Sequence, residues 1–181
     1  MSERIAVMIL GPLGDVINTS GIFKKIRKNY PNSEISIITT NRGVPATKGI
    51  PEIDNVYFID KSKPNYNKNL DTIKLGLSLR NKFDTVIVLD NSLRCAIGAF
   101  LTGAKHRIGR GRELRELFLT DIIPYKKEEK NGEIHVSEHY ARCLKPLGLY
   151  EENIDTYFEF SKEDENRVNE LLKTKDVVYT G

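Results

Sequence analysis

The sequence predicts an α/β chain: a doubly wound, mainly parallel sheet with helices on both faces. Three observations carry this. Short apolar runs of strand length alternate with stretches of helical period along nearly the whole chain. The first run, Arg4 to Leu10, ends on the breaker cluster Gly11-Pro-Leu-Gly-Asp15 and passes straight into a helical pattern. The most buried-looking run, Thr85 to Leu89, is continuous and β-branched, as a strand covered on both faces must be.

The elements follow in order. Arg4 to Leu10 is a strand, and from Val16 a helix carries Ile22, Phe23, Ile26 and Tyr30 at spacings of three and four. Its late cations Lys24, Lys25, Arg27 and Lys28 suit the negative end of the helix dipole and read as a solvated face. Glu34 to Thr39 is a second strand, a short helix falls between Asn41 and Ile50, and Asn55 to Ile59 is a third strand. Asp60 to Asn69 is a polar loop, either mobile or ligand-facing. Leu70 to Lys82 is amphipathic. Asp90-Asn-Ser92 then offers a cap cluster before an apolar helix from Leu93 to Leu101, which Gly103 ends. A fifth strand spans Lys105 to Gly109. A helix spans Glu133 to Leu147, and an extended stretch from Thr156 to Phe160 leads to a helix from Ser161, where Ser161 and Asp164 form a capping pair.

Composition bounds the class. The 181 residues suffice for one domain with a sizeable core, and 39% hydrophobic with 29% charged residues is the balance of a globular protein. No apolar run approaches a membrane span, and Met1 to Arg4 does not open a secretory signal. Cys95 and Cys143 suit neither a disulfide framework nor a metal site; they read as buried thiols of a reducing cytoplasm. A net charge of +3 does not by itself argue for nucleic acid. The cations are nevertheless clustered: Lys105, Arg107, Arg110, Arg112 and Arg115 crowd one stretch, and Lys126, Lys127 and Lys130 form a second group that Glu128 and Glu129 partly neutralise.

The chemistry centres on the first turn. In an open parallel sheet the turn after a strand lies where ligands bind, and a helix start offers unpaired N–H groups to an anion. Gly11 and Gly14 complete neither G-x-G-x-x-G nor a P-loop. The polar residue at the turn is Asp15, which spacing alone leaves open between helix cap and general base. Asn91 and Ser92 are open in the same way between capping and sugar binding. His135 and His139 share a helix face, but no third ligand is evident and no Asp-x-Asp pattern is present, so no metal site is expected. A flavodoxin-like nucleotide- or partner-binding module suits the chain length. A nucleic-acid binder is disfavoured because aromatic residues do not interleave with the arginines.

Several stretches together resemble the N-terminal domain of glycosyltransferase family 9, the lipopolysaccharide heptosyltransferases. They are Ile9-Leu-Gly-Pro-Leu-Gly-Asp-Val-Ile-Asn-Thr-Ser20, Tyr30-Pro-Asn-Ser-Glu-Ile35, Phe83-Asp-Thr-Val-Ile-Val-Leu-Asp-Asn-Ser-Leu-Arg94, and His135 to Gly148. Gly103 to Gly109 and the run on to Asp121 are most similar to the heptosyltransferase II branch. Gly21 departs from the family and Asp90 from the heptosyltransferase II branch, each standing where proline is usual.

The resemblance implies the N-terminal half of a two-domain GT-B enzyme. Residues 1–175 would form the acceptor-binding Rossmann-like domain, and 176–181 the first strand of a C-terminal domain that holds most of the nucleotide-sugar site. It implies inverting transfer of heptose from ADP-heptose to the lipopolysaccharide inner core, without a metal or other cofactor, in the cytoplasm or peripherally at the inner membrane face. Asp15 then occupies the position of the base, and its helix start is expected to keep it ionised near neutral pH. Gly14, Asn91, Ser92, Arg94, Arg107, Arg110 and Arg112 are the implied acceptor residues, with Lys105 and Arg115 beside them. Arginine pairs in bidentate geometry with the carboxylates and phosphates of such an acceptor. Glu113 and Glu116 offer these cations ordinary surface pairs instead. By itself the 181-residue chain is expected to be inactive.

Overall fold

A computed structural model describes residues 3–124, 135–152 and 154–174. Its centre is a parallel sheet in the order β3-β2-β1-β4-β5-β6, formed by β1 (Arg4–Met8), β2 (Glu34–Thr40), β3 (Asn55–Ile59), β4 (Thr85–Val88), β5 (His106–Arg110) and β6 (Asp121–Ile123). This is the doubly wound order, and its direction reverses between β1 and β4.

The two faces follow from the pleat. Ile5, Val7 and Ile9 point to one side, where α2 (Ser20–Asn29) contributes Ile22, Phe23 and Ile26, and α6 (Val136–Arg142) contributes Tyr140. Ala6, Met8 and Leu10 point to the other, against Cys95, Ala96 and Ala99 of α5 (Leu93–Leu101) and Leu79 at the end of α4 (Lys68–Ser78). The α4–α5 crossing depends on paired glycines: a β-carbon at Gly76 would lie 2.5 Å from the Gly98 carbonyl oxygen.

The first helix is not continuous. It divides into α1 (Leu13–Ile17) and α2, because buried Thr19 bonds back to the Val16 carbonyl through both its N–H, at 3.0 Å, and its hydroxyl, at 2.6 Å. The short α3 is Val44–Thr47. Strand β6 is a three-residue edge strand that apolar patterning does not announce. α6 is shorter than expected, since Pro146 has no N–H to continue it; a 3₁₀ turn (Lys145–Leu147) follows and ends on Gly148 at φ +69°. The expected strand at 176–181 and the lysine group at 126–130 lie outside the described residues.

Residues 154–160 run back over α2 and α3. The Tyr157 N–H donates to Ser20 Oγ at 2.8 Å, and the Glu159 N–H to the Gly49 carbonyl at 3.0 Å. Gly21, the departure from proline, leaves room for Ile154 and the Asp155 carbonyl; Gly49 does the same for the Phe158 ring. Helix α7 (Lys162–Thr174) then begins at Ser161, whose Oγ accepts the Asp164 N–H at 3.0 Å. The α2 cations are more engaged than a solvated face would be. Arg27 donates to the Ser33 carbonyl at 2.7 Å and to Asp54 at 2.6 Å, and Lys25 pairs with Glu151.

Candidate active site at the carboxyl edge of the sheet

Where the strand order reverses, the segments leaving β1 and β4 face each other. The turn after β1 is pinned from two sides. Thr40 Oγ1 donates to the Gly11 carbonyl at 3.2 Å, and Lys61 Nζ to the Leu10 carbonyl at 3.1 Å. Pro12 is the N-cap of α1, and Asp15 is the third residue of that helix, so Asp15 is not the cap. Its carboxylate makes no hydrogen bond among the described residues. It lies over the bare backbone of Gly11, where a β-carbon would run into it. Gly14 faces open space instead, with nothing near the position of a β-carbon.

Burial, rather than the helix start, is the largest influence on Asp15. Burial, and next the charge of Asp90, raise its carboxyl above the ordinary aspartate value. The dipole of a five-residue helix is too small to reverse this. Tyr140 of α6 is influenced by the same pair: burial, then the charges of Asp15 and Asp90, push its phenol far up, so it stays protonated.

The segment after β4 is a tight polar loop. Asp90 Oδ1 accepts the Ser92 N–H at 2.8 Å, and its Oδ2 lies 3.9 Å from Arg94 Nη2. Ser92 occupies the N-cap position of α5 without capping it through its side chain; its hydroxyl donates to Cys95 Sγ at 3.1 Å. Asn91 Oδ1 accepts from Arg115 Nη1 at 3.3 Å. Both cysteines are free and buried, and burial pushes each thiol up to about 12.

The arginine group divides. Arg107 pairs in register with Val86, at the amino end of β5 and away from the crevice. Its guanidinium donates to the Phe118 carbonyl at 2.8 Å and the Ala104 carbonyl at 2.5 Å, and stacks over Phe100. It is therefore a structural residue of the opposite edge. Exposed Lys105, just before β5, is also at that edge. Arg110 ends β5 at the crevice side and is buried; Arg112 is exposed just beyond it. Arg115 is 2% exposed.

Lys61 is a site residue that the sequence did not single out. It is half-buried after β3. Burial, then Arg94 and Arg42, lower its pKa, while Asp90 opposes the shift. The signal available for it was position alone, as the first cation after a parallel strand within a loop read as mobile or ligand-facing. Among the described residues, no three His, Cys, Asp or Glu side chains are grouped to hold a metal.

The arrangement offers a carboxylate of raised basicity at the sheet's reversal point, while Lys61, Arg94 and Arg110 stand on segments that leave the same edge of the sheet. That suits deprotonation of a hydroxyl on an anionic ligand.

Comparisons with known proteins agree on one family. The profile of glycosyltransferase family 9 (heptosyltransferase) matches residues 72–179. Lipooligosaccharide heptosyltransferase 2 of Haemophilus influenzae is 31% identical over 124 residues, covering 67% of this chain and 36% of the relative. Lipopolysaccharide heptosyltransferase 2 of Escherichia coli is 27% identical over 125 residues, again 67% of this chain and 36% of the relative. Among solved structures, the family 9 glycosyl transferase of Veillonella parvula superposes with a TM-score of 0.78 at 23% identity, covering 99% of this chain and 52% of the other. ADP-heptose lipopolysaccharide heptosyltransferase II of E. coli superposes at 0.70 with 20% identity, covering 93% and 50%. The chain thus spans about a third of the curated relatives and about half of the solved chains it matches.

Proposed function

Because the chain belongs to glycosyltransferase family 9, we propose that it is the acceptor-side domain of an inverting heptosyltransferase. The observation that carries this is Asp15, a half-buried carboxylate at the sheet's reversal point that does not cap its helix and, among the described residues, pairs with no cation. The acceptor hydroxyl is placed against it. As the hydroxyl oxygen bonds to the anomeric carbon of ADP-heptose, the bond from that carbon to the ADP oxygen breaks on the opposite face. The electron pair leaves with ADP, and Asp15 takes the hydroxyl proton.

Gly14 leaves the approach to Asp15 open. Asn91, Ser92 and Arg94 line the β4 side, and Lys61, Arg110 and Arg112 supply positive charge for the phosphates and carboxylates of a lipopolysaccharide inner core. The nucleotide sugar is held mainly by a second domain across the crevice, corresponding to the part of the relatives that this chain does not span. With no Asp-x-Asp motif in the sequence, the reaction is assigned as metal-independent. A lipid-linked acceptor places the protein peripherally at the cytoplasmic face of the inner membrane; among the described residues no helix is long and apolar enough to cross one.

The test is transfer from ADP-heptose to a deacylated inner-core acceptor, followed by mass spectrometry on the protein at its natural full length. Asp15→Asn and Asp15→Ala run beside it. Loss of product in both, with folding intact, supports the reading. Product formed equally by the variants sinks Asp15 as the base, and no product from any nucleotide sugar sinks the transferase.

A further inference from the structure

Arg115 is the largest fully buried side chain among the described residues, and it is a cation. Its Nη2 donates to the Asp90 carbonyl at 2.9 Å and its Nη1 to Asn91 Oδ1 at 3.3 Å; its Nε has no hydrogen-bond partner among the described residues. No carboxylate there lies within ion-pairing distance of it. Burial lowers its pKa; Cys95, Asp90 and Cys143 oppose that shift, and Arg110 adds to it.

A buried charge that forms no close ion pair is a poor way to stabilise a fold, and a neutral side chain of similar length often does as well or better. At 2% exposure the guanidinium is also out of reach of an acceptor in the crevice. What it does reach is the loop after β4, 24 and 25 residues earlier in the chain. That loop carries Asp90, which acts on Asp15, and leads into Arg94.

We infer that Arg115 is a positioning residue: from the 3₁₀ turn at Glu113–Leu117 it clamps the Asp90–Asn91 loop in the geometry that the acceptor meets. The role rests on the function proposed above, but the clamp itself is measurable without it.

The experiment compares wild type, Arg115→Met and Arg115→Lys at natural full length. It reads amide order parameters of Asn91 and Ser92, thermal midpoint, and kcat against acceptor KM. For Arg115→Met the expected midpoint is within about 3 °C of wild type. The two order parameters fall from about 0.85 to below about 0.6, and kcat/KM drops roughly 100-fold. Arg115→Lys, with one charged donor in place of the fork, recovers part of both. Unchanged order parameters in Arg115→Met overturn the clamp. So does a loss of stability in both variants that spreads through β1 and β4, which makes Arg115 a residue of the fold. If wild type transfers no sugar, the proposed function fails, and the order parameters still decide the clamp.

Discussion

The Asp15 carboxylate rests on the α-carbon of Gly11, with no space for a β-carbon between them. The glycine of this turn is therefore needed for where it lets the acid lie, not for a positive φ. Gly11→Ala should displace the carboxylate and lower kcat by roughly 100-fold, the scale for a misplacement of about 1 Å. Circular dichroism should stay native. Wild-type kcat in Gly11→Ala would detach the glycine from the acid.

The raised carboxyl of Asp15 has a stability consequence. The folded state holds this proton more tightly than the unfolded one. Stability is therefore lost as pH rises from the ordinary aspartate value through the folded value, and stays lower above it. Asp15→Asn removes that loss. Its thermal midpoint should exceed wild type at about pH 7 and match it below about pH 3. Activity has the opposite need: the base works ionised, so the acid limb of kcat/KM should lie above an ordinary aspartate.

Arg107 and Arg110 should separate cleanly. Arg107→Ala strips two carbonyls of their donor at the amino edge. It should cost about 1–3 kcal/mol in chemical denaturation and leave acceptor KM unchanged. Arg110→Ala, at the crevice edge, should raise acceptor KM. Steady-state kinetics on both, with urea titrations, checks the division.

Arg4 and Asp84 tie the amino ends of β1 and β4 with bonds of 3.0 and 2.9 Å. The hydrogen bond from Arg4 holds the Asp84 carboxyl below its ordinary value. The pair's contribution is present above the ordinary aspartate value and is lost as pH falls through the folded one. Both groups are partly exposed, and solvent screening keeps the contribution to about 1 kcal/mol or less. Asp84→Asn should show a deficit at about pH 7 in urea midpoints that shrinks only as pH falls below the ordinary aspartate value.

Gly76→Ala should cost about 1–3 kcal/mol, since its β-carbon would meet the Gly98 carbonyl of a facing helix whose backbone cannot easily retreat. A lowered urea midpoint with an unchanged slope is the expected result.

Most of the scaffold was legible because its cause is local. Thr85 to Val88 is buried on both faces and is written as a β-branched run. The edge strand Asp121–Ile123 is three residues with an acid at its start, too short for a period to register. The break at Thr19 was hidden because apolar spacing continues across it; a single hydroxyl turning back to Val16 made it. At the site, Asp15, Asn91 and Arg94 were legible because each follows a strand's carboxyl end within a few residues. Arg107 and Arg110 were not separable by composition. They stand three residues apart, about 10 Å along a strand, and only the strand's direction puts one at the crevice and the other at the far edge. Lys61 reaches the turn after β1 from a loop by folding alone.

Strand order also dictates what a ribosome must deliver before the sheet can close. β1 takes β2 on one side within the first 40 residues, pairing Ile5 with Ile35, but its other side waits for Thr85. Until β4 clears the exit tunnel, the nascent chain carries a half-sheet with its most apolar strand at an open margin. Such margins invite mispairing with other chains. Synthesis paused within α4 would expose that margin longest, so codon changes there should affect soluble yield more than the same changes after Leu89.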